Sequence, residues 1–447
     1  MSRWRSRLQF STATCLFLSV WVVYAAHLTS NVVRETYLAL AFAERFTVKV
    51  DPYLGLHPDL FEIPGRGSYI NSNPGASLLG AAPLLLSRPG VSVLFAAKPS
   101  LGAPKPPTTY NDPRPNRTLF MNEMRKRGLD VRLAIAALLT QIGLMAPLGA
   151  LAAVVVFGYL RGHAQDERTA LWLSLLYALG TPLFFRSGFL NQNALLAHCV
   201  LFSWVLLTRV GAGPTARTRD RDWFISGMLL GFGMVLDYSA APLALTFGLW
   251  SIVDGWQAGG ARRSVQRAGL CLLGALPMIG LLLAYQNAAF GSPWFPAQRY
   301  MPATEFSVRG WNGMTMPTVS LLWRNLLDMR YGLLAFCPLL VLSLGAPFRG
   351  QPLVSRSAMV AAASAIVSLW LFNSANQFAS LQWNTGVRYM VPAVPLLFVL
   401  AAPVLLSSAV PWRWIIVAPT LLISWAVSMM RENVVLSLQL LVTDGPP

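Results

Sequence analysis

Asp51, Asp59 and Glu62 stand close to Arg45, Lys49 and Arg66 in residues 45–83, RFTVKVDPYLGLHPDLFEIPGRGSYINSNPGASLLGAAP. A carboxylate can take a proton from a hydroxyl, and a guanidinium or ammonium can hold a phosphate. This acid-bearing segment directly follows an apolar run of membrane length, so it lies where a lipid phosphate and a hydroxyl could both be met. Asp51 sits between Val50 and Pro52, and the proline keeps it out of a helix and in an extended loop. Asp-Pro also starts turns, so a turn is the competing reading. Glu35 and Asp59 are further acids that could instead cap a helix or pair with Arg45 or Arg66. Asp237, in LDYSAAP at the end of an apolar run, is costly to bury unless it is paired, caps the helix or is used. Arg186, Arg299 and Arg388 each fall at a boundary between apolar and polar sequence. Three planar guanidinium forks would suit a phosphate or pyrophosphate, although arginines also snorkel at helix ends.

The elements that must position these residues are membrane helices. The chain has 447 residues and is 55% apolar, with a mean hydropathy of +0.50. Apolar windows fall at 10–29, 132–160, 169–186, 190–209, 222–238, 240–256, 268–286, 331–347, 357–373, 388–409 and 412–430. None alternates with period two as a barrel strand would, so the expectation is an all-α polytopic membrane protein of about eleven transmembrane helices. Cys15, Cys199, Cys271 and Cys337 lie within apolar runs and read as small hydrophobes, not as a disulfide framework or a zinc site. Net charge is +17, from 35 basic and 18 acidic residues. With no basic tail and no nucleic-acid fold pattern, that excess does not point to nucleic acid.

Orientation follows from arginine. MSRWRSRLQF precedes an apolar stretch without a good cleavage site and reads as a signal anchor. Short basic segments at 1–9, 161–168, 210–221, 257–267, 348–356 and 410–413 place themselves and the N-terminus in the cytoplasm. Residues 30–131 and 287–330 are then two long extracytoplasmic loops on a single membrane domain, 1–447. Within the first, 87–127 is proline-rich and reads as an irregular excursion. Both loops are basic, which fits anionic headgroups or a lipid-borne phosphate.

The order of local motifs resembles the GT-C superfamily of membrane glycosyltransferases, which includes protein O-mannosyltransferases and the aminoarabinose–lipid A transferase. RETYLALAFAERFTVKVDPY is similar to the acidic first outer loop of that superfamily, with its juxtamembrane helices. YINSNPGASLLGAAP resembles the turn before a third such helix, and LYALGTPLFFRSGFLNQNALLAH its Gly-Thr-Pro…His helix pair. NAAFGSPWFPAQRY is similar to the Phe-Gly-(Ser/Asn)-Pro element, and WNTGVRYMVPAVPLL to the Gly-x-Arg-Tyr…Pro…Pro helix start. Three positions depart from the pattern. Asn73 replaces the lysine before Pro-Gly, Asn193 replaces an early histidine with His198 five residues on, and Arg34-Glu35 stands where an Asp-Glu pair is usual.

The resemblance implies transfer of a sugar from a polyprenyl-phosphate donor to an extracytoplasmic acceptor, on an integral protein of the inner membrane. Such transfer needs a carboxylate to take the acceptor's proton and cations to neutralise the departing phosphate. Asp51 is the first choice for the base, followed by Asp59 and Glu35. Arg388, within Gly-x-Arg-Tyr, leads Arg299 and Arg186 for the phosphate. Asp237, Tyr69, Asn73, Asn193, Tyr300 and Trp383 are candidates for substrate contact; Trp294 and Trp311 are further aromatics able to stack on a sugar or simply belt the interface. His57 reads as a solvated loop histidine. A divalent metal is possible, with its ligands unknown. There is no Walker A, dinucleotide turn or Asp-x-Asp, which argues against a nucleotide-sugar donor. The rival readings are a transporter or flippase of lipid-linked saccharides and a non-catalytic scaffold of the same fold.

Overall fold

A computed structural model describes residues 11–27, 32–110, 115–162, 166–208, 219–348, 354–380, 387–407 and 410–445. The protein is an all-helical integral membrane protein carrying one small hairpin. Among the described residues, five helices are long and apolar enough to cross a membrane: Gly75–Ala97, Asp130–Arg161, Ala240–Phe290, Arg356–Ala375 and Arg413–Met430. Helix α1 (Thr12–Ala26) leads to α2 (Arg34–Arg45), the hairpin β1 (Leu60–Ile63) and β2 (Gly67–Ile70), and α3 (Gly75–Ala97). After α4 (Pro115–Lys126) come α5 (Asp130–Thr140), α6 (Ala146–Arg161), α7 (Glu167–Gly180), the single turn α8 (Leu183–Arg186) and α9 (Gln192–Thr208). Next are α10 (Asp220–Leu236), α11 (Ala240–Phe290), α12 (Val319–Leu326) and the short α13 (Leu333–Phe336). The series closes with α14 (Arg356–Ala375), α15 (Val394–Ser407), α16 (Val410–Met430) and α17 (Val434–Thr443).

Most expected spans have a helical counterpart, with informative differences. The continuous run α11 is two helices folded back on each other at Gly259 and Gly260, the latter at φ 71°. A Cβ on Gly255 would lie 2.6 Å from Ser264 Cα, so the two arms touch backbone to backbone. The same small-residue logic seats α10 against α11, where a Cβ on Gly231 would come within 2.8 Å of Ala275. The 331–347 span is not a regular helix: α13 gives way to a 3₁₀ run over Pro338–Phe348. Its Leu339 amide donates instead to Thr420 Oγ1 at 3.1 Å, and Pro338 and Pro347 cannot supply helical N–H groups.

Within the irregular excursion expected over 87–127, the flanks 87–97 and 115–126 are helical. Helix α3 continues to Ala97 through Pro83 and Pro89, and α4 occupies Pro115–Lys126. Proline removes one hydrogen bond but does not end a helix whose other groups are satisfied. Although α3 could cross a membrane by length, the segments before and after it, 44–73 and 98–132, are bonded to each other, and its start is also tied to α10. At its start, a Cβ on Gly75 would lie 2.7 Å from the Val235 carbonyl, and Asn73 Nδ2 donates to Met234 O at 2.8 Å. Past its end, Lys105 pairs with Asp130 (2.8 Å), Arg132 with Glu44 (2.7 Å), and Arg127 donates to Leu54 O (2.9 Å). The helix therefore runs alongside these segments and begins and ends on one side of the bundle.

Two apolar cores result. The larger fills the bundle, around Trp204, Tyr177, Phe398 and Leu196. The smaller is built from Tyr37, Val50, Leu56, Phe61, Ile70, Leu133 and Phe290, and sits beneath the polar 44–73 loop.

Candidate active site

The site grows from the start of α2. Arg34 occupies the first turn, where the helix's own amides disfavour a cation, and Val33 provides no side-chain cap. The guanidinium is held by acids instead: Nε donates to Glu35 Oε1 at 2.9 Å and Nη1 to Asp59 Oδ2 at 2.7 Å. Glu35 is buried, and its backbone carbonyl accepts from Ser77 Oγ of α3 at 2.8 Å. Asp59 precedes β1, and its second oxygen accepts from Asn71 Nδ2 at 2.8 Å, just after β2. The hairpin register, Leu60 opposite Ile70 and Ile63 opposite Gly67, brings those two residues together. His57 Nδ1 accepts the Asp59 amide at 3.1 Å, which leaves Nε2 to carry the proton of the neutral ring.

Electrostatics extend this cluster into the bundle. Burial pushes the Asp59 carboxyl up, but Arg34, His57 and Arg388 outweigh it and hold it at about 2. Burial lowers His57, Asp59 opposes and Arg34 adds to the lowering, so the ring stays neutral near pH 7. Arg388 stands over the Tyr389 ring at 5.0 Å, and its Nε faces Asn193 Oδ1 at 3.4 Å. Arg186 is buried at the end of α8, where Nε donates to Val387 O at 2.7 Å. Arg186 and Arg388 are near enough to feel each other's charge. Beside them Gln192 Nε2 donates to Asp237 Oδ2 at 2.6 Å, and Asp237 Oδ1 accepts the Ser239 amide at 2.8 Å. Thr36 Oγ1, Ser72 Oγ, Asn71 Oδ1, Gln192 Oε1 and Asn193 Nδ2 are buried, with no partner for those atoms among the described residues.

Of the residues singled out in the sequence, Glu35, Asp59, Arg186, Arg388, Asn193 and Asp237 converge here, from five separate stretches of chain. Asn73 borders the group but spends its amide on Met234. Asp51 stands apart: it is exposed in a 3₁₀ turn (Asp51–Tyr53), and Oδ1 accepts the Ser68 amide at 2.5 Å, near the turn end of the hairpin. Tyr69 is buried in the smaller core, its hydroxyl donating to Arg66 O at 3.0 Å. Arg299 is exposed on its own 3₁₀ turn, Ala297–Arg299, while Tyr300 stacks on Phe290 at 5.2 Å. Trp294 and Trp311 are exposed. Trp383 lies outside the described residues. His57 is half-buried within the cluster, not a solvated loop side chain. Sequence reasoning passed over Arg34, Gln192, Asn71 and Tyr389 as site residues. A signal for Arg34 existed, since a cation in a helix's first turn needs a reason.

Among the described residues, no group of three or more His, Cys, Asp or Glu side chains could hold a metal ion. The Arg34–Asp59 pair leaves that carboxylate ionised, and Arg186 and Arg388 set two cations beside it. Such an arrangement can receive a phosphate on the arginine side and a hydroxyl on the carboxylate side.

No protein-family model matches the sequence, and no curated protein does. Two crystal structures are similar in fold. One is ArnT from Cupriavidus metallidurans in the apo state, 15% identical, with 93% of this chain aligned to 63% of that one at a TM-score of 0.49. The other is ArnT from the same organism bound to undecaprenyl phosphate, with the same identity and coverage and a TM-score of 0.46. The chain thus spans 63% of the length of these structures.

Proposed function

We propose that this protein is an integral membrane glycosyltransferase that moves a sugar from a polyprenyl-phosphate donor to an extracytoplasmic hydroxyl. The observation that carries the reading is the meeting of Arg186 and Arg388 with the Arg34–Asp59 pair at one end of the bundle. Motifs resembling GT-C enzymes at residues 34–53, 69–83, 176–198, 287–300 and 383–397 support it independently. The basic short loops argue for a cytoplasmic N-terminus, which puts the cluster on the extracytoplasmic side of the inner membrane.

In this mechanism Arg388 and Arg186 receive the donor's phosphate, and Arg388 neutralises it as it leaves. The acceptor oxygen forms a bond to the anomeric carbon while the bond from that carbon to the phosphate oxygen breaks. The acceptor's proton passes to Asp59. That role falls to Asp59 instead of Asp51, whose oxygen is engaged by Ser68 away from the cluster. At a pKa of about 2 Asp59 is a weak base. A phosphate that draws Arg34 toward itself would loosen the Arg34–Asp59 bond and return basicity to Asp59 as the donor binds. The unpartnered atoms of Ser72, Gln192 and Asn193 offer hydrogen bonds to sugar hydroxyls.

Purified protein supplied with a panel of polyprenyl-phosphate sugars should release polyprenyl phosphate from one of them. Loss of that release in Arg388→Ala and Asp59→Asn, with folding intact, would support the site. Binding and bilayer translocation of an intact lipid-linked sugar, without any release, would favour a flippase instead.

A further inference from the structure

A second polar cavity sits at the other end of α7 from the carboxylate cluster. Arg186 of α8 lies just past the Gly180 end of α7, and the cavity lies at the Glu167 end, about 20 Å of helical rise away. The cavity has a volume of 290 Å³ and is lined by Asp166, Arg168, Thr169, Trp172, Arg413 and Trp414. Its walls are fixed from both sides of the fold. Trp172 of α7 and Trp414 of α16 meet edge to face with ring centres 6.4 Å apart. Arg413 Nη2 donates to Leu406 O at 2.9 Å, and Asp166 Oδ1 accepts the Thr169 amide at 2.7 Å. Arg168 is exposed at the mouth, as is Trp414.

We propose that this cavity binds the headgroup of an anionic glycerophospholipid, with its phosphodiester between Arg168 and Arg413 and its acyl chains leaving along Trp172 and Trp414. The charge balance selects the ligand: two arginines less one aspartate leave one positive charge, matching a single phosphodiester anion. A doubly charged free phosphate would meet the Asp166 carboxylate uncompensated, whereas a headgroup hydroxyl can donate to it. Arginine's planar fork suits phosphate oxygens, indole rings settle at headgroup depth, and basic pockets between spans recognise lipid headgroups. Belt residues acting singly would face outward from separate helices. Here two segments more than two hundred positions apart in sequence build one shared hollow. Nothing in this proposal depends on the activity assigned to the carboxylate cluster.

The test uses the full chain in detergent, titrated with phosphatidylglycerol whose brominated acyl chains quench indole fluorescence on contact. Brominated phosphatidylcholine and inorganic phosphate are the comparison ligands. Because the chain has 15 tryptophans, a Trp172→Phe/Trp414→Phe variant isolates the signal of this cavity. Phosphatidylglycerol should saturate that signal at a concentration about tenfold below phosphatidylcholine, the contribution of one charge-assisted hydrogen bond. Arg413→Gln should remove the preference, and so should Arg168→Glu, whose exposed position makes misfolding no explanation. Equal quenching by both lipids, or a preference that survives Arg168→Glu, would overturn the proposal. Displacement of phosphatidylglycerol by inorganic phosphate at equal concentration would overturn the lipid assignment and mark a free-anion site.

Discussion

Replacing Asp59 by asparagine separates its two jobs, holding Arg34 and accepting a proton. The carboxylate pairs with Arg34 at 2.7 Å and accepts from Asn71 at 2.8 Å. Its pKa is about 2 against an ordinary 3.8, a difference of about 1.8 units. At about 1.36 kcal/mol per unit this is about 2.4 kcal/mol of stability at neutral pH. With 31% of its side chain exposed the pair is partly screened, so about 1–2 kcal/mol is the reasonable expectation. A folded-state pKa below the unfolded one gives stability that is present above about pH 4 and is lost as pH falls toward 2. Thermal unfolding of wild type and Asp59→Asn in the same detergent should therefore show a constant gap from pH 8 to 5 that narrows below about pH 4. Sugar transfer by the variant should fall by at least about 10²-fold across the neutral range, the cost of losing a general base. A stability gap that widens on acidification would refute the electrostatic account. Full transfer in a variant that shows the stability loss would make Asp59 purely structural.

Arg388→Ala should cut turnover by about 10²–10³-fold, as expected for one donor to a developing anion, and Arg388→Lys should recover only part because it lacks the forked geometry. Steady-state release of polyprenyl phosphate measures both. Asp51→Ala should lower the unfolding temperature through loss of the Ser68 hydrogen bond, a cost of about 1 kcal/mol, while transfer stays within a factor of about three of wild type; a dead but folded variant would return the base to Asp51. In cells expressing a variant with Cys15 replaced, a membrane-impermeant thiol reagent should label Ala103→Cys and spare Arg219→Cys, both exposed positions, and the reverse pattern would move the carboxylate cluster to the cytoplasmic face. Gly231→Leu should unfold the protein or abolish its expression, because a side chain there meets the Ala275 backbone; normal stability would mean that α10 and α11 do not pack as closely as described.

Helical class was legible because apolar runs of membrane length admit few alternatives. The breaks within them were harder. Gly259-Gly260 marked the fold-back of α11 in composition, but Pro83 and Pro89 pointed to an irregular chain where α3 in fact runs on. Proline restricts the local backbone without fixing what the neighbouring helices will tolerate, and α2, α5 and α9 pack along α3. The 331–347 window had the hydropathy of a span, yet hydropathy carries no information on helix type, and the Thr420 hydroxyl that captures the Leu339 amide lies 81 positions away. Among site residues, Arg388 and Arg186 were visible because each lies at the edge of an apolar run. Local sequence favoured Asp51 over Asp59 on slight grounds, since both are loop acids beside a proline. What divides them is which amide or guanidinium reaches the carboxylate, and Asp59's partners come from α2 and from beyond the hairpin.

That division follows from the two cores. Arg34, Glu35, His57 and Asp59 are held by the smaller one, through Tyr37, Leu56 and Ile70. Val387 and Leu196, which flank Arg388 and Asn193, belong to the bundle. Carboxylates and phosphate-facing arginines are therefore delivered by different packing units. A few bonds hold the units in register, among them Ser77 to Glu35 and Asn73 to Met234. Asn73 is the clearest case of a residue whose value lies in this alignment. A lysine there, as the resemblance would suggest, could point its charge at a phosphate; the asparagine instead ties the start of α3 to the end of α10. The cation it forgoes is present at the site as Arg34, delivered from α2. Positive charge at the site thus comes from α2, from α8 and from the segment before α15, which is why no single motif in the sequence displays it.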